Sequence, residues 1–233
     1  MSENLFGQHI SKQFNAELED IRNRVLTMGG LVEQQVLDAV KALTEGDLLL
    51  AEKVIERDHE VNAMEVAIDE ECTQVLARRQ PAASDLRLVV AVIKTITDLE
   101  RIGDQAEKVA RMGAHLTKIP RPENQYIEIQ HLGELVHRIL HNALDVFARM
   151  ESQAALEVTQ EDARIDREYE ATMRQLVTFM MEDPRTIKRS LDIMWAARAL
   201  ERIGDHAKNI CEYVIYFVEG KDVRHTELVT RRD

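Results

Sequence analysis

The sequence predicts an all-α protein: two tandem antiparallel three-helix bundles related by an internal repeat. Three observations carry that expectation. The chain of 233 residues is 45% hydrophobic but only 4% aromatic, with 9 Gly and 4 Pro, a composition that favours helices packed by aliphatic side chains over a sheet. The hexapeptide Leu99-Glu100-Arg101-Ile102-Gly103-Asp104 recurs as Leu200-Glu201-Arg202-Ile203-Gly204-Asp205, and an alanine follows each copy two places on, Ala106 and Ala207. Such self-similarity marks duplication. Between the copies, Ile119-Pro120-Arg121-Pro122-Glu123 cannot continue a helix, because two prolines in three residues favour an extended connector. The expected organisation is a first repeat at 8–117, a linker at 118–123, a second repeat at 124–219 and a flexible tail at 220–233.

The elements follow in order. Leu18, Ile21, Val25, Met28, Val32, Val36 and Val40 recur at spacings of three and four, which predicts a helix from about His9 to Leu43. Thr44-Glu45-Gly46 ends it, and Asp47 is placed to cap the next helix. That helix carries Val54, Val61, Ile68, Cys72 and Val75 and stops near Gln80-Pro81. Ser84 is the expected cap of a third helix running to about Leu116. Beyond the prolines, helices are expected at about Gln125–Met150 and Gln153–Met181. Asp183-Pro184 supplies a cap and a first-turn proline for a sixth helix ending near Glu219, after which the tail from Lys221 should fray.

Both hexapeptides fall within helical periodicity, and on a helix the acids at i and i+4 are neighbours. Each copy therefore presents two carboxylates at one spot, Glu100 with Asp104 and Glu201 with Asp205, bordering the packed stripe. Two like charges so placed repel by about 0.2–0.5 kcal/mol, and the glycine between them costs about 1 kcal/mol relative to alanine. The second helix of each half adds a matching pattern, Asp58-x-x-x-Asn62 and Asp162-x-x-x-Asp166. Counted outward from the connecting turn, Asp162 and Asp205 lie at equal depth, as do Asp166 and Glu201. In the first half the mismatch is at most about one helical turn of 5.4 Å. Four oxygen-bearing side chains of each half should converge, and such a set repels itself unless it is protonated or neutralised by a cation.

With no thiol or imidazole in the pattern, hard or borderline ions are expected: Mg, Mn, Fe or Ca, with Zn a further candidate. The candidate ligands are Asp58, Glu100, Asp104, Asp162, Asp166, Glu201 and Asp205. Asn62 adds no charge, so the first site is expected to bind more loosely. The plainer alternative is a solvated acidic face, since acids spaced i,i+4 arise by chance in a chain this acidic.

The formal charge of −12 repels nucleic acid and anionic lipid and attracts cations and basic patches. Cys72 and Cys211 lack CxxC spacing and lie on apolar stripes, as reduced core residues of a cytoplasmic protein do. No signal peptide is read at the N-terminus, and the most apolar run, Leu86 to Ile96, is far short of a membrane span. Trp195, Tyr213, Tyr216 and Phe217 are expected in the core or at a subunit contact. Glu56-x-x-His59 and Glu134-x-x-His137 have the Glu-x-x-His form used by di-iron bundles, but they do not follow the repeat.

The twin three-helix halves, the Gln80-Pro81 and Asp85-Leu86-Arg87 segment and both Glu-Arg-Ile-Gly-Asp copies resemble the PhoU family of bacterial phosphate-transport accessory and phosphate-signalling proteins. That resemblance implies paired acidic motifs at Asp162/Asp166 with Glu201/Asp205 and at Glu100/Asp104. At Asp58/Asn62, asparagine stands where the family pattern has aspartate. It further implies a cytoplasmic, non-enzymatic, often dimeric regulator that binds divalent or multinuclear metal and touches the membrane at most peripherally. Such a regulator couples a phosphate ABC transporter, through its ATPase subunit, to a phosphate-sensing histidine kinase and keeps the phosphate-starvation response off. Two other classes compete with it: a carboxylate-bridged di-iron oxidase or ferroxidase, and a metal-free helical scaffold.

Overall fold

The computed structural model describes residues 3–79, 81, 83–119 and 126–223, with side chains from residue 13 onward. It contains six long helices: α1 (Glu3–Glu45), α2 (Leu48–Arg79), α3 (Ala83–Leu116), α4 (Ile127–Arg149), α5 (Ser152–Glu182) and α6 (Ile187–Glu219). No strand occurs among the described residues. The tandem three-helix order expected from the repeat is present.

Local chemistry sets the helix ends. Gly46 takes φ +74° after α1, and the Asp47 carboxylate accepts from Leu50 N–H at 3.0 Å, so one residue closes a helix and the next opens another. Before α6, the Asp183 carboxylate accepts from Arg185 N–H at 3.0 Å, and a 3-10 turn, Pro184–Thr186, precedes the helix proper. Gly220, at φ +70°, ends α6. Ser84 is not the cap of α3: the helix begins at Ala83, which puts Ser84 inside the first turn with its hydroxyl 3.5 Å from the Asp85 carboxylate. Pro120, Pro122 and Gln125 lie outside the described residues, as does the tail from 224.

The expected aliphatic stripes form one continuous core that runs through both halves. α1 packs against α4, and α3 against α6, the most extensive helix pairing in the molecule. Close approach at α1/α4 relies on small residues, since a Cβ on Gly133 would stand 2.6 Å from Val40 and one on Gly29 2.5 Å from Leu144. Polar ties cross both seams: Arg22 on α1 donates to the Ala148 carbonyl on α4 at 2.5 Å, and Arg87 on α3 to that of Phe217 on α6 at 3.2 Å. At the α3/α6 contact, buried Asp98 accepts from His206 Nδ1 and Tyr213 Oη, each at 2.7 Å. The halves are repeats in sequence and one body in packing.

Tyr213 is thus buried, as expected of the aromatic group on α6, but Trp195 is not: 67% of it is exposed. Cys72 and Cys211 are unpaired and fully buried. Burial pushes the Cys72 thiol up to about 12 and raises that of Cys211 as well, which leaves both unreactive at neutral pH. Among the described residues, no helix is long and apolar enough to cross a membrane.

Candidate functional site

Each half gathers its acids where its second helix meets the helix bearing the hexapeptide. In the first half, Asp58 on α2 is buried, with Gln35 Nε2 3.4 Å from Oδ1 and Asn62 Nδ2 donating to Oδ2 at 3.2 Å. Asn62 is therefore a partner of the carboxylate, not an idle substitute for one. Gly103 keeps the two helices close, because a Cβ there would lie 3.2 Å from Asp58 Oδ1 and 3.3 Å from Val61. Burial, and after it the nearby Asp104 and Glu107, raises the Asp58 carboxyl. Glu100 is raised by burial and then by Asp104, Glu65 and Asp58. Glu65, about two turns along α2 from Asp58, is raised by burial against an opposing hydrogen bond from Thr97. Their mutual influence brings Asp58, Glu65, Glu100 and Asp104 into one field.

In the second half, Asp162 is buried, and Lys208 donates to its Oδ2 at 2.8 Å. Arg198 donates to Glu201 Oε1 at 2.8 Å and also stands over the Tyr169 ring, 5.9 Å from its centroid. Glu201 Oε2 is buried without a hydrogen-bond partner. Burial raises Glu201 first, then Asp205. Asp166 and Asp205 are more exposed as whole residues, yet the crowding there still raises both, burial first and Asp162 next. Asp162 thus lies near enough to Asp166, Glu201 and Asp205 to raise all three.

The two sets differ in counter-charge. Lys208 occupies the position that Glu107 holds in the first repeat, and Arg198 that of Thr97. Glu107 is engaged by Arg111 at 2.5 Å, and Arg101 lies 3.9 Å from Asp98, both reaching the first cluster only at Coulombic range. Among the described residues, no cation hydrogen-bonds Asp58, Glu65, Glu100 or Asp104, and the nearest approach is Lys108 to Asp104 at 3.9 Å.

Two stretches of this chain, 25–113 and 129–214, match the family profile described as PhoU domain. The chain belongs to the PhoU family. A phosphate-specific transport system accessory protein PhoU homolog from Pseudomonas aeruginosa is 56% identical over 97% of this chain and 93% of its own length. The crystal structure of PhoU from the same organism superposes with a TM-score of 0.87 at 56% identity, covering 89% of this chain and all of that one. That of the phosphate transport system regulatory protein PhoU from Streptococcus pneumoniae gives 0.83 at 30% identity, with 90% and 99% covered. These PhoU relatives are named as accessory and regulatory proteins, and the role they support is in phosphate transport and its regulation.

The PhoU resemblance implies metal, and the donor chemistry of the first cluster suits a hard cation: carboxylates and an amide around a buried Asp58 with no ammonium on it. The arrangement is not preformed. Among the described residues, no group of three or more His, Cys, Asp or Glu side chains stands in position to hold an ion.

The Glu-x-x-His pairs go elsewhere. Glu56 and His59 are exposed, His137 faces Glu33 at 3.4 Å, and α2 and α4 make no contact among the described residues, so the two pairs share no centre. Glu65, Glu107 and Lys208 were absent from the sequence reading. The sign change between Glu107 and Lys208 was open to it, three places past each hexapeptide.

Proposed function

We propose that this protein is a negative regulator of the phosphate-starvation response, coupling a phosphate-importing ABC transporter, through its ATPase subunit, to a phosphate-sensing histidine kinase. It acts in the cytoplasm as a homodimer, without catalysis, and binds divalent or multinuclear metal. The relatives named as phosphate-transport accessory proteins over nearly the whole chain support the phosphate role. Mg, Mn, Fe, Ca and Zn are the ions to consider, with oxygen donors favouring the harder ones.

The observation that carries the metal part is the inequality of the two clusters. In the second, Lys208 supplies the positive charge that Asp162 needs. In the first, no cation hydrogen-bonds Asp58 among the described residues, Arg111 reaching it only at Coulombic range, and the amide of Asn62 leaves nearby carboxylates to balance. On this reading the first half is the tighter cation site, the reverse of the order expected from Asn62 alone. Deleting the gene should switch on phosphate-scavenging genes in phosphate-rich medium, as read by alkaline phosphatase activity. Unchanged expression refutes the regulatory role.

A further inference from the structure

The antiparallel seam of α3 and α6 has two ends that the repeat makes equivalent, and they are finished differently. At one end Lys94 stands over the rings of Tyr213 and Tyr216, 5.4 and 5.3 Å from their centroids, and Asp98 accepts hydrogen bonds from Tyr213 and His206. That end is filled. At the other end the equivalent positions carry Trp195 for Lys94, Ala199 for Asp98, and Met112 and His115 for the two tyrosines. The smaller residues leave a cleft of about 620 Å³ walled by the exposed Trp195.

Charge marks what is missing from it. Arg101, at the filled end, has the Asp98 carboxylate 3.9 Å away. Its equivalent Arg202 lines the cleft, where Ala199 offers no carboxylate, and Arg202 makes no hydrogen bond or ion pair among the described residues. Lys108 adds a second cation, and the Asp192 carboxylate lies 3.2 Å from His115. On a chain of net charge −12, this is a local reversal of sign around an exposed indole. Trp and Arg are the residue types that dominate binding at interfaces, and a guanidinium matches a carboxylate bidentately.

We propose that this cleft is the docking site for an acidic segment of a partner protein, which inserts an aromatic side chain against Trp195 and places an adjacent carboxylate on Arg202. The segment supplies what Asp98 and the tyrosines supply at the filled end. The inference rests on the reading of the protein as an adaptor, and its test needs neither transporter nor kinase, so either idea can fail alone.

Trp195 is the sole tryptophan, which makes its fluorescence a direct reporter of the cleft. The probe is an acetylated pentapeptide with a central phenylalanine flanked by aspartates and glutamates, titrated into the full-length protein with excitation at 295 nm. Saturable change is expected, at least tenfold weaker for the peptide with asparagines and glutamines in place of the acids, and at least tenfold weaker for Arg202→Glu. Arg174→Glu, a reversal at another exposed arginine, should leave the titration unchanged. Equal response to both peptides, an Arg202→Glu titration matching wild type, or no saturation at millimolar peptide overturns the proposal. So does a peptide-free change in Trp195 emission that tracks protein concentration and disappears in Arg202→Glu, because a second copy would then own the cleft.

Discussion

Lys208 and Glu107 occupy the same place in the two halves, and between them they divide one duplicated scaffold into two electrostatic types. The second cluster brings its counter-ion within the chain, an ammonium 2.8 Å from Asp162, with Arg198 on Glu201. The first has Asp58 buried near Asp104 and Glu107 with only amides hydrogen-bonded to it. Identical hexapeptides therefore do not make identical sites. Backbone geometry is inherited through the motif, whereas the charge state is set by residues just outside it.

The largest expected effect comes from Lys208→Met, which removes the counter-ion and leaves Asp162 buried and unpaired. A fully buried pair broken this way costs about 3–5 kcal/mol, and because Lys208 is about a third exposed the expected loss is nearer 1–3 kcal/mol. In chelator, thermal unfolding should fall by several degrees. Manganese should restore much of it, since ligand at about 100 times Kd contributes about 2.7 kcal/mol. A Tm unchanged in chelator would show that Lys208 is not the counter-ion.

Next in size is the converse exchange. Glu107→Lys writes an ammonium into the first cluster, and its manganese affinity should drop about 10–100-fold, as when a group supporting a metal site is altered. Isothermal titration of the purified variant reads this directly. Affinity equal to wild type would separate Glu107 from the site.

The smallest effect is a pH dependence with a definite sign. Glu100 is raised in the folded protein, so its protonated form favours folding: the stability it contributes is full below its unfolded pKa and is lost as pH rises through the folded one. Glu100→Gln should therefore unfold about 1–2 °C higher than wild type at pH 7 in chelator, and the gap should close as pH falls toward 4. A gap that widens on acidification would contradict the assignment of Glu100 to a crowded carboxylate set.

Much of this molecule was legible before any coordinates. The aliphatic periods gave the helices, and Gly46-Asp47 and Asp183-Pro184 gave two of the joints. Local chemistry acts over a turn or two of chain, which is why those readings succeed. What escaped depends on long-range packing. Asp98 reads as one more polar residue, and only the α3/α6 seam makes it a buried acceptor for Tyr213, 115 residues away. Trp195 reads as core or subunit contact, and it is the exposed outcome that the structure shows, where the seam opens at its end. Ser84 failed as a cap because α3 already begins at Ala83, which places Ser84 within the first turn. Glu107 and Lys208 needed only the repeat alignment continued three residues further.

If the first cluster needs an external cation and the second carries its own, the two should separate in metal binding. Manganese binding to the full-length protein, followed by electron paramagnetic resonance, should be compared among wild type, Glu100→Gln/Asp104→Asn and Glu201→Gln/Asp205→Asn. The account predicts that the tightest site vanishes in the first double variant and survives in the second. Loss of that site from the second variant alone, or equal loss from both, would contradict it.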